Sequence, residues 1–320
     1  MIYKNFESLY ERYDTFFVDV YGVLYNGRSF FDGALNLLKT IKDAGKKIII
    51  LSNTTLVSDV CKSRYGKKGL IQDVHYDEFI SSGEAFRHAI KSLKTKSFYQ
   101  IFLKNDAIFE GMGLIEEDSI EKADFIYVGS PNDKKCYTID GLKTKNGEHI
   151  NIEDMFDVSL DDIEGFEEIA DCLKECKKHD KSFVVVNPDI FALEGVGENI
   201  RPILCQGAIG EFYKRMGGKV EYFGKPYPNI YDFAKSFTNN EEKIVMIGDT
   251  LWTDILGGNI AGIDTTLVLT GVSGEFLVNI NEKDINLKME KLKENISKKL
   301  THKDLMQYSQ TPTHIAESFA

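Results

Sequence analysis

The sequence predicts an α/β fold with a doubly wound, mostly parallel core sheet, and three observations support this prediction. Seven short apolar runs rich in Val and Ile punctuate the chain. Their apolar residues do not alternate with polar ones, which is typical of strands buried on both faces. A helical pattern separates the first two runs, as in a right-handed βαβ unit. The runs span residues 16–20, 47–53, 125–129, 182–189, 219–226, 243–250 and 265–271.

The segment between the first two runs predicts an amphipathic helix. Ala34, Leu37, Leu38 and Ile41 recur at helical spacing, and Gly45 follows as a stop. In the first run, "FFVDV", the apolar residues 16–18 lead to the acid Asp19, and the chain then breaks at Gly22. A strand, a helix and a strand of these lengths favour parallel pairing of the two strands.

Four polar residues lie at or just past the ends of apolar runs from distant parts of the chain: Asp19, Ser52, Lys225 and Asp249. In open α/β sheets, ligands bind beyond the carboxyl ends of the strands. If these runs share one sheet, the four side chains meet at one edge. The sequence therefore predicts a single functional site built from all four.

The middle of the chain, roughly 84–206, has acidic and irregular stretches together with strand candidates of its own. Because it separates the second site residue from the third, we expect a second domain inserted into the first. The predicted organisation is a core over 1–83 and 207–275, an inserted α/β domain over 84–206, and a helical extension over 276–320 that packs on the core. Gly83 and Gly207 are the candidate hinges.

The extension shows an amphipathic pattern with lysines between its apolar residues. We expect this helix to pack on the core, and a partner or membrane helix is the alternative. The apolar positions are Ile285, Met289, Leu292, Ile296 and Leu300.

Composition bears on partners and location. With 39 Lys and Arg against 50 Asp and Glu, the formal charge of −11 disfavours a nucleic-acid partner. No apolar signal core opens the chain and no run of eighteen apolar residues occurs, so we expect no membrane partner and a cytoplasmic location. Five cysteines without a CxxC pair argue against a disulfide framework, and we expect Cys172 and Cys176 to be packing residues. Assembly into a homo-oligomer stays open.

The chemistry of the four site residues and of the polar residues next to them in sequence favours phosphoryl transfer. Asp249 and Asp254, together with Asp19, make an oxygen-rich acidic pocket of the kind that Mg²⁺ prefers, although Asp249 as a helix cap is the alternative. The hydroxyls and amide of Ser52, Asn53 and Thr54 suit a phosphate, with a plain helix cap as the alternative. Lys225 adds a point positive charge. Together these groups would position and neutralise phosphoryl oxygens.

This ordered set resembles the four motifs of the haloacid dehalogenase-like superfamily of aspartate-nucleophile hydrolases. The insert resembles the type-two cap domain of the branch that includes nucleotide, 4-nitrophenyl phosphate and pyridoxal phosphate phosphatases. "GKPYPNIY" (224–231) and "GDTLWTDILGGNIAGI" (248–263) are similar to motifs of that branch, and "VNPD" (186–189) is similar to its late cap segment. The resemblance covers about residues 14–275 and implies a Rossmann-like core with an inserted cap domain.

The resemblance also implies roles. Asp19 is the expected nucleophile, Ser52 a phosphate hydrogen-bond donor, and Lys225 the charge that holds nucleophile and phosphate together. Asp249 is an expected Mg²⁺ ligand, with Asp254 binding directly or through water. Asp19 and the backbone carbonyl of Tyr21 complete the expected metal site. The expected substrate is a small phosphorylated metabolite, with Mg²⁺ as cofactor.

Tyr21 departs from the family pattern, because phosphatases of the superfamily usually have Asp there as general acid and base. A phenol with a pKa near 10 is a poor base at pH 7, and losing a general acid or base costs about 10²–10⁴-fold in rate. We therefore expect weak hydrolysis of alkyl phosphates and better hydrolysis of aryl or acyl phosphates.

Two alternatives remain at this level. The superfamily's 2-haloacid dehalogenases also have Tyr at this position, but they need no metal, and the acids of "GDTLWTD" favour a phosphatase. The other is a phosphate-ligand binding or regulatory protein on a phosphatase scaffold, which the retained Asp19 and Lys225 disfavour.

Overall fold

Fourteen strands and ten α-helices make up the part of the chain that this computed structural model describes, residues 2–6, 9–91, 95–132, 137–139, 141–194, 201–278, 280 and 284–320, with no account of the side chains of residues 2, 193 and 194. The strands are β1 (Ile2–Asn5), β2 (Thr15–Val18), β3 (Lys47–Ser52), β4 (Glu78–Ser81), β5 (Ser97–Ile101), β6 (Ile115–Glu116), β7 (Phe125–Val128), β8 (Ser182–Val185), β9 (Phe191–Glu194), β10 (Arg201–Leu204), β11 (Lys219–Tyr222), β12 (Ile244–Gly248), β13 (Asp264–Val268) and β14 (His314–Ser318).

The helices are α1 (Ala34–Asp43), α2 (Ser58–Gly66), α3 (Ser82–Ile90), α4 (Glu167–Lys178), α5 (Gln206–Arg215), α6 (Pro228–Lys235), α7 (Leu256–Ile260), α8 (Val272–Val278), α9 (Ile285–Leu292) and α10 (Lys298–Leu300). A π-helical turn, Leu251–Ile255, precedes α7, and another, Lys293–Ser297, joins α9 to α10. The chain divides into two units, Met1–Ala85 with Gly224–Ala320, and Phe86–Phe223. None of the described helices is long and apolar enough to cross a membrane.

The first unit contains a seven-stranded, all-parallel sheet in the order β1-β14-β13-β12-β2-β3-β4. Successive residues of its central strands enter different cores: Phe16 and Val18 belong to one buried cluster, whereas Phe17 belongs to another. Helix α1 supplies the first cluster and α6 the second. The predicted doubly wound α/β class is confirmed.

The predicted βαβ unit is present. Strand β2 pairs in parallel with β3, and α1 between them buries the four predicted residues. Gly45 follows the helix with a φ of 75°, a left-handed conformation that glycine adopts without steric cost. The apolar spacing and the stop signal were therefore sufficient to specify this unit locally.

Three of the seven predicted strands, however, belong to a different sheet. Strands β7, β8 and β11 lie in the five-stranded sheet β11-β8-β7-β5-β6 of the second unit, and β9 pairs with β10 in an antiparallel ribbon. The expected end of the insert at residue 206 is therefore wrong, because β11 pairs with β8 and the second unit continues to Phe223. Strands β7 and β8 are buried parallel strands like β2 and β3, so their sequences look alike.

The two candidate hinges are packing glycines. Gly83 lies in α3, where a β-carbon would lie 2.4 Å from the carbonyl oxygen of Thr55. Gly207 lies in α5, where a β-carbon would lie 2.0 Å from the carbonyl oxygen of Pro188. Each glycine allows a helix to approach a neighbouring backbone closely, so the structure supports a packing reason for both positions.

The C-terminal extension is only partly helical, which corrects the prediction. Met289, Leu292 and Leu300 are buried as the periodicity indicated, but the chain then continues into β14, which inserts between β1 and β13. A buried polar network supports the connection, since Ser297 donates to Gln310, which in turn donates to Thr301. The extension therefore completes the first sheet as well as packing against it.

Candidate active site

Three carboxylates meet at the carboxyl end of the first sheet. Asp19 follows β2 directly, and Asp249 follows β12, the neighbouring strand. Asp254 lies in the π-helical turn after β12. One oxygen of each carboxylate lies within 4.8 Å of those of the other two, and all three residues are buried. Adjacent parallel strands thus bring Asp19 close to two acids that lie 230 or more positions further along the chain.

Close packing and hydrogen bonds fix the position of Asp249. A β-carbon on Gly22 would lie 2.4 Å from Asp249 Oδ2, and one on Gly271 would lie 2.0 Å from the same atom. Val272 N donates to Asp249 Oδ2 at 2.7 Å, and Thr250 Oγ1 donates to Asp249 Oδ1 at 3.1 Å. Only glycine leaves room for the carboxylate at these two positions.

Lys225 connects two of the acids. Its Nζ donates to Asp19 Oδ1 at 2.5 Å and to Asp254 Oδ1 at 2.7 Å, and the residue is only 3% exposed. The assumption that Lys225 ends a strand of the site's own sheet is wrong, because it follows β11 of the other sheet. Lys225 reaches the acids from the loop where the chain returns to the first unit.

The cluster contains three carboxyl groups and one ammonium group, so its acids outnumber its base. Burial, together with the charge of Asp254, raises the pKa of Asp19 to about 7, although Lys225 opposes the shift. Burial, and then the charges of Asp254 and Asp19, raise the pKa of Asp249 well above its ordinary value. Burial disfavours the Lys225 ammonium, but the charges of Asp19 and Asp254 outweigh it and raise the pKa of Lys225.

The donor set fits a hard divalent cation. All three side chains offer carboxylate oxygens, the ligands that Mg²⁺ prefers. Three ionised acids against one ammonium leave an excess of negative charge in a buried place, which is costly without a compensating cation. The peptide between Tyr21 and Gly22 lies at the same place, since Gly22 packs on Asp249.

The loop after β3 carries the other predicted binding residues. Ser52 is partly exposed, and its Oγ accepts a hydrogen bond from Thr54 N at 3.4 Å, so its own O–H can donate. Thr54 Oγ1 accepts from Leu56 N at 3.3 Å. The predicted helix start is wrong, because α2 begins only at Ser58 and residues 53–57 form a loop.

Asn53 lies elsewhere than expected. Its side chain is buried and bonds to the backbone of Lys225 through both amide atoms.

Tyr21 is 42% exposed, and its ring contacts Tyr25 edge-on with the centroids 6.2 Å apart. Its hydroxyl lies over Gly27, where a β-carbon would be 2.2 Å from the phenol oxygen. The ring therefore packs along its own loop.

The sequence did not reveal three residues that contact the site: Thr270, Gly271 and Ser82. Thr270 Oγ1 donates to the carbonyl oxygen of Gly22 at 2.5 Å, and Gly271 follows with its α-carbon against Asp249. The only signal for these residues was the "LTG" at the end of the run 265–271. Ser82, which donates to Asn53 Oδ1 at 3.2 Å, gave no signal because β4, the strand directly before it, was not predicted.

Comparison with known proteins adds independent information. A haloacid dehalogenase-like hydrolase family model matches residues 16–110, and a HAD-hydrolase-like model matches residues 222–293. Phosphoglycolate phosphatase 2 of Arabidopsis thaliana is 30% identical over 286 residues, which cover 85% of this chain and 88% of the relative.

Solved structures support the fold. A haloacid dehalogenase-like hydrolase from Brucella suis 1330 matches with a TM-score of 0.70 at 21% identity, covering 99% of both chains. A glycerol phosphate phosphatase from Mycobacterium tuberculosis in complex with magnesium matches with a TM-score of 0.59 at 16% identity, covering 85% of this chain and 74% of that one.

Proposed function

This chain belongs to the haloacid dehalogenase-like hydrolases and is a phosphatase of that family; from this premise we propose that it hydrolyses phosphate esters of small metabolites with Mg²⁺ through an aspartyl-phosphate on Asp19. The observation that carries the proposal is the buried cluster in which Lys225 joins Asp19 to Asp254 beside Asp249. The second unit is proposed to be the cap domain that the resemblance implies.

The proposed reaction has two steps. A carboxylate oxygen of Asp19 attacks phosphorus, the bond from phosphorus to the leaving oxygen breaks, and the leaving oxygen takes up a proton. Water then attacks the aspartyl-phosphate, releasing inorganic phosphate and restoring the carboxylate. Lys225 holds Asp19 in place and offsets phosphoryl charge, while the Ser52 hydroxyl and the loop with Thr54 would donate to phosphoryl oxygens.

The carboxylates of Asp19, Asp249 and Asp254, with the Tyr21 carbonyl, would hold Mg²⁺. When bound, the cation neutralises developing charge on the phosphoryl oxygens. The glycines at 22 and 271 support this assignment, because they let Asp249 lie against the backbone of the loop that carries Tyr21.

The test is phosphate release with Mg²⁺ by the wild type and by Asp19→Asn. Since the amide is not a nucleophile, we expect a loss of at least ~10³-fold in kcat. Asp106→Asn is the matched control, because Asp106 is an exposed acid that follows β5 of the other sheet. Activity retained by Asp19→Asn would rule out the covalent mechanism.

Tyr21 determines the proposed preference among phosphate esters. We propose that leaving groups needing little protonation, such as aryl or acyl phosphates, react faster than alkyl phosphates, because a phenol is a weak acid near pH 7. Tyr21→Asp should then raise kcat on an alkyl phosphate by about 10²-fold, whereas Tyr21→Phe should stay near wild type on an aryl phosphate. A large loss in Tyr21→Phe would instead identify the phenol as the proton donor.

A further inference from the structure

The side-chain amide of Asn53 makes hydrogen bonds to both the backbone N–H and the backbone carbonyl of Lys225. Lys225 N donates to Asn53 Oδ1 at 2.7 Å, and Asn53 Nδ2 donates to the carbonyl oxygen of Lys225 at 2.8 Å. The two residues are 172 positions apart, and they are 7% and 3% exposed. Buried hydrogen bonds of this kind meet little competition from water.

This contact matters because Lys225 lies outside the first sheet. Strand β11 ends at Tyr222, so no strand of the first sheet contains Lys225 in the part of the chain that the structure describes. Asn53 gives the Lys225 peptide the pair of bonds that a neighbouring strand would give. It therefore aligns the returning chain with the end of β3, in the same sheet as β2 and Asp19.

The orientation of the amide is also fixed. Ser82 Oγ donates to Asn53 Oδ1 at 3.2 Å, which adds a second donor to the oxygen side. Ser82 opens α3 directly after β4, the edge strand beside β3. The loop after β3, the start of α3 and the Lys225 loop are thus linked through one side chain.

We propose, on the basis of the proposed function, that Asn53 is a positioning residue: it acts on the reaction through Lys225, by fixing the Nζ between Asp19 and Asp254, and does not bind the phosphate. The lysine makes bonds of 2.5 and 2.7 Å to these acids, so a small shift of its backbone disturbs both. A displacement of about 1 Å in a catalytic group can cost ~10²-fold.

The experiment is a double-mutant cycle of Asn53→Ala and Lys225→Met, assayed by phosphate release with Mg²⁺. Asn53→Ala should lower kcat about 10²-fold with KM and the inhibition constant of inorganic phosphate within about threefold. In the Lys225→Met background it should have no further effect, because the lysine is its only route to the reaction. Asn259→Ala is the matched control, since Asn259 Nδ2 also donates to backbone oxygens, those of Ser309 and Thr311, remote in sequence from Lys225.

Full additivity with Lys225→Met, or a tenfold rise in KM and in the phosphate inhibition constant with kcat unchanged, would overturn the proposal in favour of direct phosphate binding. A readout independent of turnover separates this inference from the proposed function. The Lys225 amine should be protected from reductive methylation in wild type and in Asn259→Ala, and should react at least ~10-fold faster in Asn53→Ala. Unchanged protection would overturn the inference even if the wild type released no phosphate.

Discussion

Each unit pairs a buried acid with a base, but the two arrangements differ in their charge balance. In the second unit, Glu211 and Arg215 face each other across one turn of α5, with Arg215 Nε 2.9 Å from Glu211 Oε1. Arg215 also donates to the carbonyl oxygen of Phe156 at 2.9 Å and lies over the Phe156 ring. In the first unit, Lys225 forms ion pairs with Asp19 and Asp254, and a third acid, Asp249, lies beside them.

The difference shows what separates a structural ion pair from a reactive cluster. One acid and one base neutralise each other, so the pair needs no further charge from solution. Three acids outnumber the one lysine beside them, and the raised pKa values of Asp19 and Asp249 show the cost of ionising these carboxyls in a buried place. Among the described residues, only this group brings three potential metal ligands together. Such a cluster favours binding of a cation, and its carboxylates are suited to react with an electrophile.

In the comparison of the two basic residues, the larger effect on kcat should come from removing Lys225. Lys225→Met should lower kcat by about 10²–10³-fold, since it deletes a buried charge aimed at the nucleophile. The matched change in the second unit, Arg215→Met, should leave kcat per folded molecule unchanged. Steady-state phosphate release, corrected for the folded fraction by circular dichroism, measures both, and equal losses would erase the distinction between the two pairs.

Metal binding should stabilise the unbalanced cluster only. At 100 times its Kd, Mg²⁺ should add about 2.7 kcal/mol to the free energy of unfolding of the wild type. Asp249→Asn should lose this gain because it removes a ligand and an excess charge. Urea unfolding with Mg²⁺ and with a chelator measures the effect, and a gain retained in Asp249→Asn would place the cation elsewhere.

The balanced pair should follow the rules of a structural ion pair. Arg215→Met should cost about 2–3 kcal/mol of unfolding free energy, because Glu211 is 1% exposed and would keep its charge without a partner. The double variant Glu211→Leu with Arg215→Met should recover most of that loss, since it also removes the buried charge that the single change leaves without a partner. Urea unfolding of the two variants decides, and a double variant as unstable as the single one would contradict this account.

The smallest effect concerns pH. The pKa of Asp19 is raised from 3.8 to about 7, so the folded protein holds a proton there that the unfolded chain releases. The stability due to this group is present below pH 3.8 and is lost as pH rises through about 7. In metal-free protein, the melting temperature of wild type relative to Asp19→Asn should therefore fall between pH 5 and pH 8. A flat difference would show that Asp19 is ionised throughout this range.

Local sequence patterns were enough to predict many of the helices and strands. The spacing of Ala34, Leu37, Leu38 and Ile41 predicted a helix and its buried face, because both depend on residues within a few turns. The strands β1, β4 and β14 were not predicted because each contains only two apolar residues, too few to form a pattern. Nothing in the sequence of β7, β8 or β11 distinguished their sheet from that of β2.

The sequence by itself determined the α/β class, the acids Asp19, Asp249 and Asp254, and the resemblance to a hydrolase family, because these depend on residue types and short spacings. Only the tertiary structure decided which strands share a sheet, that the second unit continues to Phe223, and that the chain's end supplies a central strand. It also decided that Asn53 lies on the backbone of Lys225. The pairing of β8 with β11 joins residues 37 positions apart, that of β1 with β14 joins residues 313 positions apart, and no local pattern encodes the hydrogen bonds that select them.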